Sequence, residues 1–249
     1  MKVLFVGTAG GRVTTFRLLR RSGGFLVEQS GSFAHVDPGP GAFVYLKELG
    51  VPYTSLELFL LSHLHLDHSA DLNALLEAAT DGGKRDGVAV FAPKSVFEGE
   101  DRVLFPYLRR RLTREGFFEQ GHELSFKSWR VKPVYRHAHH GTPTYSFLVN
   151  ETVLYVPCSR FEERMLEYMP EGVPLLVINT TFYRRRPFVD HLSAEEAALI
   201  IKRVKPKRAV ITHFSKEMLK AGPERVAEEL SAETGHEVLA AYDGMVVEV

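Results

Sequence analysis

Apolar residues fall along this chain in two kinds of block. Short continuous runs bounded by glycine, proline or polar turns read as strands buried on both faces: residues 2–6, 58–61, 88–92, 153–156, 175–178 and 209–211. Residues 25–27 and 34–36 read as two more strands around the Gly31 turn. Residues 145–149 pair naturally with 153–156 across Asn150-Glu151, and 238–249 read as closing strands around Asp243-Gly244. Longer blocks space their apolar residues three and four apart, which is the helical period. These are 42–49 (Phe43, Leu46, Leu49), 70–79 (Leu72, Leu75, Leu76), 161–168, 193–204 and 223–234. The clearest is 193–204. Ser193 is its N-cap, Glu196 completes a capping box, and Ala197, Ile200, Ile201 and Val204 share one face. Residues 94–121 are irregular, with room for a helix or a lid, and 123–133 read as a strand or hairpin.

Strands alternate with helices, but several strands are joined by tight turns. That predicts an α/β (α+β) fold whose sheets carry helices outside them, not one purely parallel sheet. No linker, low-complexity stretch or repeat interrupts the pattern, so residues 1–249 read as a single domain. A chain of this length buries a core without disulfides. Its 31 Lys+Arg balance 31 Asp+Glu, which argues against a stable nucleic-acid complex and leaves a local basic pocket open. Cys158 is the single cysteine and has no internal partner, as expected in a reducing compartment. The chain starts with no signal-peptide pattern, and no run approaches the roughly 20 apolar residues of a membrane helix. The expectation is a cytoplasmic protein with no membrane partner. Oligomeric state stays open, a homodimer included.

The chemistry is concentrated in histidine. His63-Leu64-His65-Leu66-Asp67-His68 lies between the strand at 58–61 and the helix at 70–79. His63 and His65 are two apart and face the same way on a strand end, while Asp67 and His68 turn with the chain into the helix. Three imidazoles and a carboxylate so close together suit a first-row divalent ion such as zinc, with manganese or iron as alternatives. A second cluster is His137, His139 and His140.

This His-x-His-x-Asp-His segment after an apolar strand resembles the signature of the metallo-β-lactamase fold hydrolases. Val36-Asp37-Pro38-Gly39-Pro40-Gly41 is similar to that family's strand-Asp-x-Gly loop. Residues 140–147, Asp190-His191-Leu192-Ser193, 210–215 and Ala241-Tyr242-Asp243-Gly244-Met245 resemble its ribonuclease Z-like, phosphodiesterase branch. The resemblance therefore runs along nearly the whole chain. It implies a four-layer αββα sandwich of two mixed sheets with metals at the sheet edges. It also implies that His63, His65 and His140 hold one ion, and Asp67, His68 and His213 a second. His140 is preferred over His137 and His139 because the segment after it matches the family.

Two departures bear on function. The family's bridging aspartate corresponds to Cys158 in Tyr155-Val156-Pro157-Cys158-Ser159. A thiolate there can ligate or bridge zinc, or Cys158 is a small buried side chain. Ribonuclease Z carries a His-Glu-Ala-Thr-like segment where this chain has Ile178-Asn179-Thr180-Thr181-Phe182, and no long Gly-rich arm is present to clamp tRNA. The expected activity is hydrolysis of a small or nucleotide-like phosphodiester by a metal-bound hydroxide, with Asp67 orienting the nucleophile and His191 protonating the leaving group. Arg184, Arg185 and Arg186 are candidates for binding a small anionic substrate, against the alternative of a solvated face. Arg109, Arg110 and Arg111 pose the same choice. Two other readings stand beside this one. One is a lactonase or carboxylic-ester hydrolase, because the same ions attack a carbonyl carbon. The other is a non-catalytic protein that binds a metal or an anionic ligand at a degenerate site.

Overall fold

The computed structural model describes residues 1–249. Two seven-stranded sheets stack face to face. The first contains β1 (Lys2–Phe5), β2 (Phe25–Gln29), β3 (Ser32–Val36), β4 (Leu56–Leu60), β5 (Ala89–Ala92) and β6 (Arg114–Phe117) in spatial sequence. The second contains β7 (Leu124–Phe126), β8 (Trp129–His137), β9 (Thr144–Val149), β10 (Val153–Val156), β11 (Leu175–Asn179), β12 (Arg208–Thr212) and β13 (Glu237–Ala240). The last strand, β14 (Val246–Glu248), returns to the first sheet and pairs antiparallel with β1. Each sheet is mixed. β3 to β6 are parallel and β1 to β3 antiparallel, while β10 to β13 are parallel and β7 to β10 antiparallel.

The continuous apolar runs follow from this layering. Successive strand residues point to opposite faces, and here both faces are covered. In β11, Leu175 and Val177 enter the core between the sheets, while Leu176 and Ile178 pack beneath helices. In and just after β4, Leu58 and Leu60 face the other sheet, and Phe59 and Leu61 face helices. Over the first sheet lie α2 (Ala42–Glu48), α4 (Leu72–Ala79) and α5 (Pro106–Arg109); over the second lie α6 (Met165–Tyr168), α7 (Ala194–Val204), α8 (Lys216–Ala221) and α9 (Pro223–Thr234). The result is the expected αββα sandwich. The Ser193–Glu196 capping box forms at the start of α7.

Four segments add to or differ from the sequence pattern. Residues 161–168 supply only the single turn of α6, and Arg160 just before them bonds to the Ala138 carbonyl and the Asp190 carboxylate. Of the helix or lid expected in residues 94–121 the structure shows a helix, the short α5, and adds the fourth parallel strand, β6. Two short helices, α1 (Gly11–Phe16) and α3 (Leu66–Ser69), are too brief to show a helical period.

β3, β4, β8, β10, β11 and β12 all run the same way within their sheets, so their C-terminal ends share one edge of the sandwich. The loops after them carry Asp37, His63 to His68, His139, Cys158, Thr181 and His213. No helix is long and apolar enough to cross a membrane.

Candidate metal centre

Three groups of donors stand at this edge, one of which, His139 with His140 and His191, shares His139 and faces the solvent; the other two are the more enclosed. His63, His65 and His139 bring one side-chain atom each to within 4.8 Å of one another, and His68, Cys158 and His213 do the same. The His63 and His68 rings are 4.2 Å apart by their centroids, so the groups are neighbours. Asp67 belongs with the second group, its Oδ2 lying 3.7 Å from His68 Nε2 and 3.5 Å from His213 Nε2.

Hydrogen bonds fix the ring orientations. The Ser62 hydroxyl donates to Asp37 Oδ2 at 2.7 Å and lies 2.9 Å from His63 Nδ1, from which it accepts. His63 Nε2 is then a buried atom without any protein partner, facing the other imidazoles. The His139 Nδ1–H donates to the Asp190 carbonyl at 2.7 Å and frees Nε2. His68 Nδ1–H donates to Asp37 Oδ2 at 2.9 Å, so its Nε2 points at Cys158 Sγ, 3.6 Å away. Carboxylates and carbonyls behind ligating imidazoles set the tautomer a metal needs. The orphaned His63 nitrogen and the mix of imidazole, thiolate and carboxylate donors fit divalent ions of the zinc type.

Electrostatics separate the two groups. Burial lowers the pKa of all three histidines of the first, His139 to about 3, so they are neutral with open lone pairs at pH 7. In the second group burial acts the same way on the imidazoles, but nearby negative charge outweighs it. Asp67, Cys158 and Asp37 hold His68 well above its ordinary value, and Cys158 and Asp67 push His213 up to about 9. Burial raises the Cys158 thiol, yet His213 and His68 bring it well below its usual range. Without metal the mutual attraction of thiol, carboxylates and imidazoles favours the charged forms in this group, so an entering ion competes with protons. Because His213 loses its proton only as pH rises toward 9, uptake at this position strengthens with pH, whereas the first group is already neutral. Metal-stripped protein given zinc should retain about one ion per chain at pH 6 and about two at pH 9, read by plasma mass spectrometry after desalting. Equal occupancy at both values would contradict this protonation pattern.

Asp37 is the junction of the site, and the sequence alone assigned it no role. Its carboxylate accepts from Ser62 N, Ser62 Oγ, His68 Nδ1 and Tyr155 Oη, all between 2.7 and 2.9 Å, and is fully enclosed. Its backbone is left-handed, at φ 51°, which aspartate tolerates better than most residues. Asn179 Nδ2 donates to Tyr155 Oη at 3.1 Å and to Cys158 Sγ at 3.4 Å, extending the network to the thiol. Asp37→Ala strands several buried donors, so it should lower unfolding stability by about 3–5 kcal/mol in chemical denaturation. A loss under about 1 kcal/mol would mean that the network relaxes at little cost.

His140 does not join His63 and His65. The chain reverses at His140-Gly141, where φ is 45° and then 76°, and the His140 ring swings outward to an exposed position. The sequence preference for His140 over His139 is therefore corrected: the imidazole beside His63 and His65 belongs to His139. Asp190 fixes this turn, accepting from His140 N and from Arg160 Nε at 2.7 Å each. His137 is buried elsewhere, with Nε2 2.6 Å from Ser146 Oγ. Cys158 Sγ lies 3.6 Å from His68 Nε2 and 3.5 Å from His213 Nδ1. His213 also has left-handed backbone, at φ 62°, and packs directly on Gly10. A Cβ at Gly10 would fall 2.5 Å from His213 Nδ1, so the early glycine turn serves this histidine.

A cleft of about 860 Å³ opens in front, lined by His65, Asp67, His139, His140 and His191. His191 Nδ1 lies 3.4 Å from Thr181 Oγ1, which also contacts His213 Nδ1 at 3.1 Å. Of the arginine triplet only Arg186 lines the cleft, paired with Glu217. Arg184 and Arg185 turn to Glu195 and Glu196 on α7 and lie away from it. Arg109 pairs with Glu115 on β6 and Arg111 with Glu77 on α4, so these two brace the first sheet and its helices.

Comparisons with known proteins agree with this architecture. Residues 34–214 match the family described as the beta-lactamase superfamily domain. The uncharacterized protein MJ1374 of Methanocaldococcus jannaschii is 29% identical over 259 residues, covering 100% of this chain and 95% of that one. A ribonuclease Z of Clostridium botulinum is 29% identical over 105 residues, which is 41% of this chain and 32% of the enzyme. Among solved structures, the metallo-beta-lactamase fold protein YhfI of Bacillus subtilis superposes with a TM-score of 0.81 at 22% identity, covering 100% and 98% of the two chains. A diphosphatase of the PhnP family superposes at 0.74 with 17% identity, covering 100% and 97%.

Proposed function

This chain belongs to the beta-lactamase superfamily, and from that premise we propose that it is a metal-dependent phosphodiesterase acting on a small anionic substrate. The observation that carries the reading is the pair of adjacent donor groups, reached from a cleft that His65, His139 and Asp67 line together with Arg12, Arg186 and Lys216. His63, His65 and His139 would hold one ion; His68, Cys158 and His213, with Asp67, would hold the other. Zinc suits the thiolate best. Ions bound there would acidify water and offset charge developing on a phosphoryl group.

The chain's own residues supply the rest. Asp67 borders both the donor groups and the cleft, where its carboxylate can orient the attacking water. His191 stands in the cleft wall with its ring 5.1 Å from His139, and can deliver a proton to the departing alcohol. The three cations favour a phosphoryl substrate over a neutral ester. Their side of the cleft separates this proposal from lactone hydrolysis, which the same donors could perform. The diphosphatase and ribonuclease Z likenesses point the same way.

The test is a substrate panel on zinc-loaded protein. Turnover of bis(p-nitrophenyl) phosphate, with lactones and carboxylic esters hydrolysed at least about 100-fold less efficiently, is the expected result. Hydrolysis confined to lactones would replace the proposal, and binding without turnover of any substrate would make the site a ligand-binding one.

A further inference from the structure

The cleft has a second character beside its charge. On one side α1 presents Val13 and Phe16, which are 45% and 56% exposed, and Leu66 of the neighbouring α3 is 64% exposed. Phe182 and Val189 also line the cleft, and Phe188 next to Val189 is 94% exposed. Single exposed apolar residues are ordinary, but an apolar wall continuous with a polar centre is the composition of a ligand site. The cations are placed within the same cleft, and only Arg186 of the three is held by a carboxylate.

Charge and apolar surface together specify an occupant that carries both. Resting on the phosphodiesterase reading, we infer that the cleft takes amphiphilic phosphodiesters, in which one esterified alcohol carries an alkyl or aryl group. The phosphoryl group lies toward the histidines, Arg12 and Lys216, and the apolar group lies along Val13, Phe16 and Leu66. α1 suits this role because only Thr14 and Thr15 of its six residues are buried, so its apolar side chains are not part of the core.

The test compares hexyl phosphate with methyl phosphate by calorimetric binding to zinc-loaded protein. Each methylene removed from water gains about three- to fourfold in affinity, so hexyl phosphate should bind at least about tenfold tighter. In a Val13→Ser/Phe16→Ser variant that ratio should fall to near one. Both positions are exposed, so folding is expected to persist, and circular dichroism checks it. Equal affinities in the wild type, or a ratio the variant leaves unchanged, would overturn the inference. So would a dimer in light scattering that the variant dissociates, since a second copy would then cover the wall. A retained ratio without turnover of any phosphodiester would uphold the apolar subsite and remove the phosphodiesterase reading alone.

Discussion

His139→Ala should abolish most of the activity, on the order of 10³-fold in kcat/KM, and release about one ion per chain. The neighbouring His140→Ala should keep its full metal content and lose less than about tenfold. The contrast rests on orientation. His139 Nδ1–H is anchored on the Asp190 carbonyl and its ring packs 4.8 Å from that of His63, whereas the His140 ring is exposed beyond the turn. Because His139 is itself buried, its loss must be separated from misfolding. Metal content and the far-ultraviolet circular dichroism of both variants make that separation. If His140→Ala loses the ion and His139→Ala keeps it, the donor group is misassigned.

The second large effect belongs to Cys158. Cys158→Ala should bind about one ion per chain and lose on the order of 10²-fold in activity, while Cys158→Asp should restore most of the second ion's binding. Sγ lies within 3.6 Å of His68 and His213, enclosed on every side, and accepts a hydrogen bond from Asn179. A structural role would predict something else: lower stability with metal content intact. Cobalt substitution gives a readout independent of turnover. The wild type should show the near-ultraviolet charge-transfer band of a cobalt thiolate, and Cys158→Ala should not. A band that survives the substitution, or metal content that does not change, would make the thiol a packing group.

Much of this site was readable in the chain because its largest part is contiguous. His63 to His68 follow a short apolar run whose length suits a central strand buried on both faces. The α7 capping box was equally local, confined to Ser193 and Glu196. The choice between His139 and His140 was not local. It depends on which residue adopts the left-handed turn, and that depends on Asp190, fifty residues on, accepting the His140 amide. The Asp37 junction joins side chains as far apart as Tyr155, and nothing near either residue marks the pairing. Arg184 and Arg185 illustrate the reverse failure. A charge run beside a site invites a substrate role, but the glutamates that engage these two lie on the first turn of α7. The short helices α1 and α3 carry too few turns to show a period, so the apolar wall of the cleft stayed hidden.

As proposed, two unlike donor groups load divalent ions, and these drive phosphodiester hydrolysis. The most direct measurement is the rate of bis(p-nitrophenyl) phosphate hydrolysis as zinc is returned stepwise to chelator-stripped protein near pH 9. The stripped protein should be inactive, and the rate should rise and saturate at about two ions per chain. Undiminished hydrolysis by stripped protein, or no hydrolysis at any zinc content, would contradict it.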